Sequence, residues 1–206
     1  MRAPSDSRSS DVRLCSLALL AAVAVASPAC AQTKTLPADV QIRLAVQAAP
    51  EALRDGAMVQ GYDRKGALVT LREGSNGLIC MAPDPTAEDF EVSCHSAGLE
   101  PFFARGRELR AQGITGEARV KARWDEIAAG TLPLPSGTTN NILTGTGFDT
   151  ATAEIHDPYL RWVIYMPGAT SATTGLPESP AGPGGPWLMF PGTPGAHVMI
   201  APPSGR

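Results

Sequence analysis

Two cysteines, Cys80 and Cys94, constrain this chain more than any other pair of residues. The other two, Cys15 and Cys30, fall in an N-terminal segment that reads as an export address. There Arg2, Arg8 and Arg13 precede an uncharged run from Leu14 to Ala26, and Ala29-Cys30-Ala31 follows Pro28. A basic start, a short apolar stretch and a small-x-small site form the pattern of a secretory signal peptide. Residues 1–31 are therefore expected to be the signal, with cleavage near Ala31. Residues 32–206 are expected to be one secreted or periplasmic domain. The apolar run of 13 residues falls short of the about 20 that a membrane-spanning helix needs. The alternative is a lipoprotein anchored through Cys30, although Ser27-Pro28-Ala29 lacks the customary Leu three positions earlier. No other segment is long and apolar enough to span a bilayer, so no transmembrane segment is expected in the mature chain.

An oxidising compartment joins the two remaining cysteines. The 13 residues between them form a loop whose closure is worth about 3 kcal/mol in the chain-entropy model. Pro83, Pro85 and the acids Asp84, Glu88, Asp89 and Glu91 fill that segment. They predict an irregular, solvated loop held by the bridge. Acids so close together are also candidate Ca²⁺ ligands, but their spacing does not match an EF-hand loop. No C-x-x-C pair is present, which favours a structural bridge over a redox thiol.

Composition fixes the class. Hydrophobic residues make up 43% and charged residues 18%, enough apolar content for a packed core. The net charge of -3 excludes a nucleic-acid binder held by a basic surface. Gly (21) and Pro (19) punctuate the chain densely, so its elements are expected to be short and joined by turns.

The pattern predicts a short helix between Pro37 and Pro50, with Val40, Leu44 and Ala48 on one side. A β-meander is expected next, with strands at 57–62, 67–72 and 78–81. Asn76-Gly77 would close its second hairpin. Leu99, Phe102, Phe103 and Gly106 follow helical spacing, and Gly113 ends that helix. Thr115 opens a second helix, in which Val120, Trp124, Ile127 and Ala128 form the apolar stripe. An interrupted strand at 141–148, a strand at 159–166 and a final hairpin from Trp187 to Ile200 complete the set. Residues 167–186 read as a flexible Gly/Pro-rich loop, long enough to be functional or mobile. The whole is α+β: an antiparallel meander and C-terminal hairpin packed with a helical hairpin, carrying one disulfide.

Several stretches also carry a resemblance. Leu71-Arg-Glu-Gly-Ser-Asn-Gly77 before Cys80, Leu176-Pro177, Gly184-Gly-Pro-Trp187 and Gly192-Thr-Pro194 before Ala196-His-Val-Met199 resemble a group of uncharacterised secreted bacterial proteins. The resemblance implies an exported α+β domain and brings no activity with it. Leu78 stands where that group tends to have Trp.

Chemistry has few candidates. His197, on a strand with Met199 on the same face, is the candidate general base or ligand. His156-Asp157 precedes Pro158 and reads as a turn. His95, beside Cys94, reads as a solvated residue. The three histidines His95, His156 and His197 are the weak candidates for a metal, but they lack the close spacing of a zinc set. No G-x-S-x-G is present, and Gly74-Ser75-Asn76-Gly77 is a turn pattern. Gly145-Thr-Gly147 lacks the Gly-Lys of a phosphate loop. No motif implies a cofactor. Arg105, Arg107, Arg110, Arg119, Lys121 and Arg123 intersperse with acids on the helical hairpin. They read as solvated faces, with a patch for an anionic partner as the alternative. The expected function is an exported binding or cell-envelope-associated module for an unknown ligand or envelope component. Its pocket or edge is expected near the final hairpin and the 167–186 loop. The alternative is a small hydrolase or metal-dependent enzyme centred on His197.

Overall fold

The computed structural model describes residues 35–201. The expected signal segment, its cleavage site and Cys30 lie outside the described residues. Among the described residues there are four α-helices: α1 (Ala38–Ala45), α2 (Glu100–Ala111), α3 (Gly116–Ala128) and α4 (Ser171–Thr174). The strands are β1 (Met58–Tyr62), β2 (Leu68–Arg72), β3 (Leu78–Met81), β4 (Phe90–Ser96), β5 (Thr139–Gly145), β6 (Gly147–Phe148), β7 (Ile155–His156), β8 (Tyr159–Tyr165), β9 (Trp187–Met189) and β10 (His197–Ile200). Eight of them form one sheet in the order β2-β1-β3-β4-β5-β8-β10-β9, while β6 and β7 pair separately. The α+β class and the Cys80–Cys94 disulfide are as the sequence predicts. No helix among the described residues is long and apolar enough to cross a membrane.

The expected meander differs in one connection. β3 does not fold back on β2; it pairs with β1 in parallel, and β2 occupies the sheet edge. The cause lies in the turn around Asn76. The backbone N–H groups of Ser75 and Asn76 donate to Gly56 O, and the Asn76 side-chain amide donates to Leu53 O at 2.7 Å. Asn76 Oδ1 then accepts from Leu78 N. The turn is thus pinned to the segment preceding β1, and β3 sets out from the same end as β1. The positive φ at Gly77 is real, but it serves a crossover and not a hairpin.

The second difference lies in the acidic loop. Its last third is strand: β4 pairs antiparallel with both β3 and β5. Cys80 and Cys94 are directly opposed across β3 and β4, with Cα atoms 4.0 Å apart. Both cysteines are fully buried.

The period of two along each strand divides the sheet into two working faces. Val59, Cys80, Val92, Cys94 and Leu143 turn toward α1, whose Val40, Leu44 and Ala45 close the main core. Val163, Tyr165, Ile142 and Met199 turn the other way and meet Leu99, Phe102, Phe103 and Ile127 of the helical hairpin region. A third cluster of Ala169, Leu188, Ala196 and Val198 ties β10 to the 167–186 segment on the face away from His197. That segment is built around α4, where Thr170 makes a reciprocal capping box with Thr173. Leu188 N donates to Pro177 O and covers the sheet edge there.

Candidate binding cleft between the helical hairpin and the sheet

Residues on the hairpin-facing side of the sheet line a cleft of about 450 Å³ beneath α2 and α3. This volume lies within the usual range for small-molecule sites. The floor is laid strand by strand: Tyr62 from β1, Met81 from β3, Ser93 from β4, Asn140 and Ile142 from β5, Tyr165 from β8 and His197 from β10. The loop before β10 adds Phe190 and Gly195. The pocket expected near the final hairpin is therefore bordered by that hairpin, but residues 167–186 do not line it. They pack on the opposite face of the sheet, because Val198 and His197 point to opposite sides.

Helix α3 roofs the cleft. The expected stripe is only partly correct: Val120, Trp124 and Ile127 are half-buried, while Ala128 is exposed. No residue of α3 is fully buried, because this helix covers an open cleft rather than a filled core. The Trp124 indole lies directly on the backbone of Gly195, where any Cβ would collide with it. Phe190 meets the same indole edge-on, with ring centroids 5.3 Å apart. His197 lies 5.7 Å from Phe190 and 5.5 Å from Tyr165 between ring centroids, so one end of the cleft is built of rings.

The cations of the hairpin are unequal. Arg105 binds Glu126 through two nitrogens and also reaches Glu108. Arg107 pairs with Glu100, Arg110 with Asp84 at 3.2 Å, and Lys121 with Asp125 at 2.7 Å. These are solvated or paired faces, as predicted. Arg119 and Arg123 depart from that expectation. Both line the cleft one helical turn apart, and neither has a carboxylate partner among the described residues. The Nε atoms of both are buried without a hydrogen bond. The Arg123 guanidinium lies 4.1 Å from the centroid of the Phe102 ring and against Gly106, whose missing side chain leaves it room. Burial, and then the charge of Arg119, lower the Arg123 pKa from its ordinary value.

The remaining polar groups divide into donors and acceptors. Burial pushes the Tyr165 phenol up to about 12, so at neutral pH it is a protonated hydroxyl facing this end. His197 Nδ1 lies 2.8 Å from Gly195 O; because a carbonyl only accepts, Nδ1 carries the proton and Nε2 keeps its lone pair. Burial lowers the His197 pKa, with the Gly195 contact opposing it. No carboxylate, serine or second imidazole hydrogen-bonds His197 among the described residues. Asn140 is 4% exposed, and its Oδ1 has no partner.

The other two histidines lie elsewhere. His95 is buried, not solvated as expected, with 1% of its surface exposed. Cys94 faces α1, so the next residue must face the hairpin, where Phe103 covers the imidazole at 4.5 Å between centroids. His95 Nε2 donates to Glu100 Oε2 at 2.9 Å, and Arg107 holds the other carboxylate oxygen. Burial opposes the charge of Glu100, but His95 and Arg107 outweigh it and lower its pKa. His156 is exposed on β7. The described residues contain no group of three or more His, Cys, Asp or Glu side chains arranged to hold a metal ion, and the three histidines are not brought together. Of the acids weighed for Ca²⁺, Asp84 is committed to Arg110 and Glu91 to Arg161 at 3.5 Å. Gly145 is packed against the backbone of His156, which is the structural reason for its lack of a side chain.

Comparisons with protein-family models, with curated proteins and with solved structures return no match for the chain.

Proposed function

We propose that this chain is an exported binding module whose cleft between the helical hairpin and the sheet holds a small organic ligand. Export rests on the basic, apolar and small-x-small order of residues 1–31. The observation that carries the binding reading is a set of buried polar atoms left unsatisfied in one ring-lined cleft: Arg119 Nε, Arg123 Nε and Asn140 Oδ1. A buried donor or acceptor without a partner costs about 1–3 kcal/mol. Clustering of such groups in a cleft is what a ligand site requires, because the ligand supplies the missing partners. His197 contributes an acceptor nitrogen there. It lacks the orienting carboxylate or activated hydroxyl of a hydrolytic centre, which is why binding is favoured over catalysis.

The test is a fragment screen of the mature protein, read by backbone amide NMR. Hits should shift a contiguous set at Phe102, Gly106, Trp124, Gly195 and His197. Hits that map to other surfaces, or none in this cleft, would contradict the reading.

A further inference from the structure

We infer that the Arg119–Arg123 end of the cleft binds the carboxylate of a singly charged ligand whose flat apolar body lies against Trp124 and Phe190; this rests on the cleft being a ligand site. Three observations converge on the carboxylate, and a fourth describes the rest of the cleft. Arg119 and Arg123 are like charges at i, i+4, an arrangement that repels across one helical turn. Both are half-buried, with Nε already removed from water and bonded to nothing. The other cations of the hairpin, from Arg105 to Lys121, have carboxylate partners, so a lack of acids nearby is not a general property of these helices. Asn140, more than nine-tenths buried, holds an unpartnered amide oxygen in the same cleft; as an acceptor it meets a donor on the body of the ligand and not the carboxylate.

The class of anion follows from shape and field. One face of the Arg123 guanidinium is covered by Phe102, leaving its edge for contact. Planar N–H edges match the two oxygens of a carboxylate in plane. The Tyr165 hydroxyl, protonated at neutral pH, is a further donor at this end. Asp89 and Glu91 line the same cleft and oppose a multiply charged anion more than a single charge. Trp124 and Phe190, edge-to-face, leave apolar ring surface along which a flat body stacks.

The experiment is calorimetry on the full mature chain with indole-3-acetate, benzoate, the neutral amides of both, and inorganic phosphate. Both acids should bind saturably and about 10- to 100-fold more tightly than their amides, the ratio expected for charge-assisted hydrogen bonds. Arg119→Gln and Arg123→Gln should each weaken the acids more than the amides and so shrink the acid-against-amide ratio toward one; an amide NMR spectrum of each variant checks the fold. Acid and amide binding equally in the wild-type protein, or phosphate binding as tightly as the acids, overturns the carboxylate assignment and leaves the binding cleft standing. Absence of saturable binding by every probe overturns both. The wild-type acid-against-amide ratio decides the matter even if a variant fails to fold.

Discussion

The guanidinium of Arg123 rests 4.1 Å above the ring of Phe102 and pairs with no acid among the described residues. A charge held this way contributes to the fold through its stem and its ring contact, not through an ion pair. Replacing it with Met retains the stem and relieves repulsion from Arg119, worth about 0.2–0.5 kcal/mol at this spacing. The change also removes the buried, unpartnered Nε, so Arg123→Met should leave stability equal to or above wild type despite the lost cation–π contact. Urea denaturation checks this. The paired Arg105 is the control: Arg105→Met strands Glu126 and should lower the urea midpoint.

Gly195 and Trp124 form a steric pair. A Cβ at 195 would overlap the indole, so Gly195→Ala should cost about 1–3 kcal/mol by overpacking, or displace the indole from the cleft. Trp124→Leu combined with Gly195→Ala should cost less than the sum of the two single changes. Thermal unfolding of the four proteins measures the coupling; strict additivity would show that the two residues do not touch.

Acid should destabilise the domain in two stages. The folded pKa of His197 is lowered, so its contribution is full above its ordinary value of 6.5 and declines as pH falls below it. The folded pKa of Glu100 is also lowered, so its contribution is full above its ordinary value of 4.5 and is lost as pH falls through the folded value. His197→Gln should flatten the upper part of the stability curve, and Glu100→Gln the lower part. Glu100→Ala should also cost about 1–3 kcal/mol at neutral pH, because His95 Nε2 is left buried without an acceptor. Urea midpoints between pH 3 and 8 test both.

The bridge between Cys80 and Cys94 is buried on both sides. A thiol assay on native, unreduced protein should find neither cysteine free. Replacing both with Ala should cost about 3 kcal/mol through the entropy of a loop of this size. Two free thiols in the native protein would contradict the pairing.

How much of this was legible in the sequence depends on how local each cause is. Helices α1 to α3 were visible because the prolines that bound α1, the glycines that end α2 and α3, and the apolar spacing are local signals; Thr115 opens α3 without a side-chain cap. The parallel β1–β3 pairing was not, since it depends on Asn76 reaching back to Leu53 and Gly56. β4 was hidden by the acids and prolines ahead of it. Its alternation of Phe90, Val92 and Cys94 with Glu91, Ser93 and His95 was the available clue, and the same alternation would have placed His95 on the hairpin face. His197 was correctly placed on a strand beside the eventual cleft. In the sequence Arg119 and Arg123 are only members of a mixed-charge run. Which cations find acids is decided by how α2 and α3 pack, and sequence spacing does not carry that information.

The most direct measurement of the central claim is the ¹H–¹⁵N NMR of arginine side chains in the mature protein, with and without benzoate. In the free protein, the Nε–H signals of Arg119 and Arg123 should lie apart from that of Arg105, which is bonded to Glu126. Benzoate should move both downfield, saturably, and leave Arg105 in place. Signals for Arg119 and Arg123 that already match Arg105, or that do not respond to benzoate, would contradict an open anion site in this cleft.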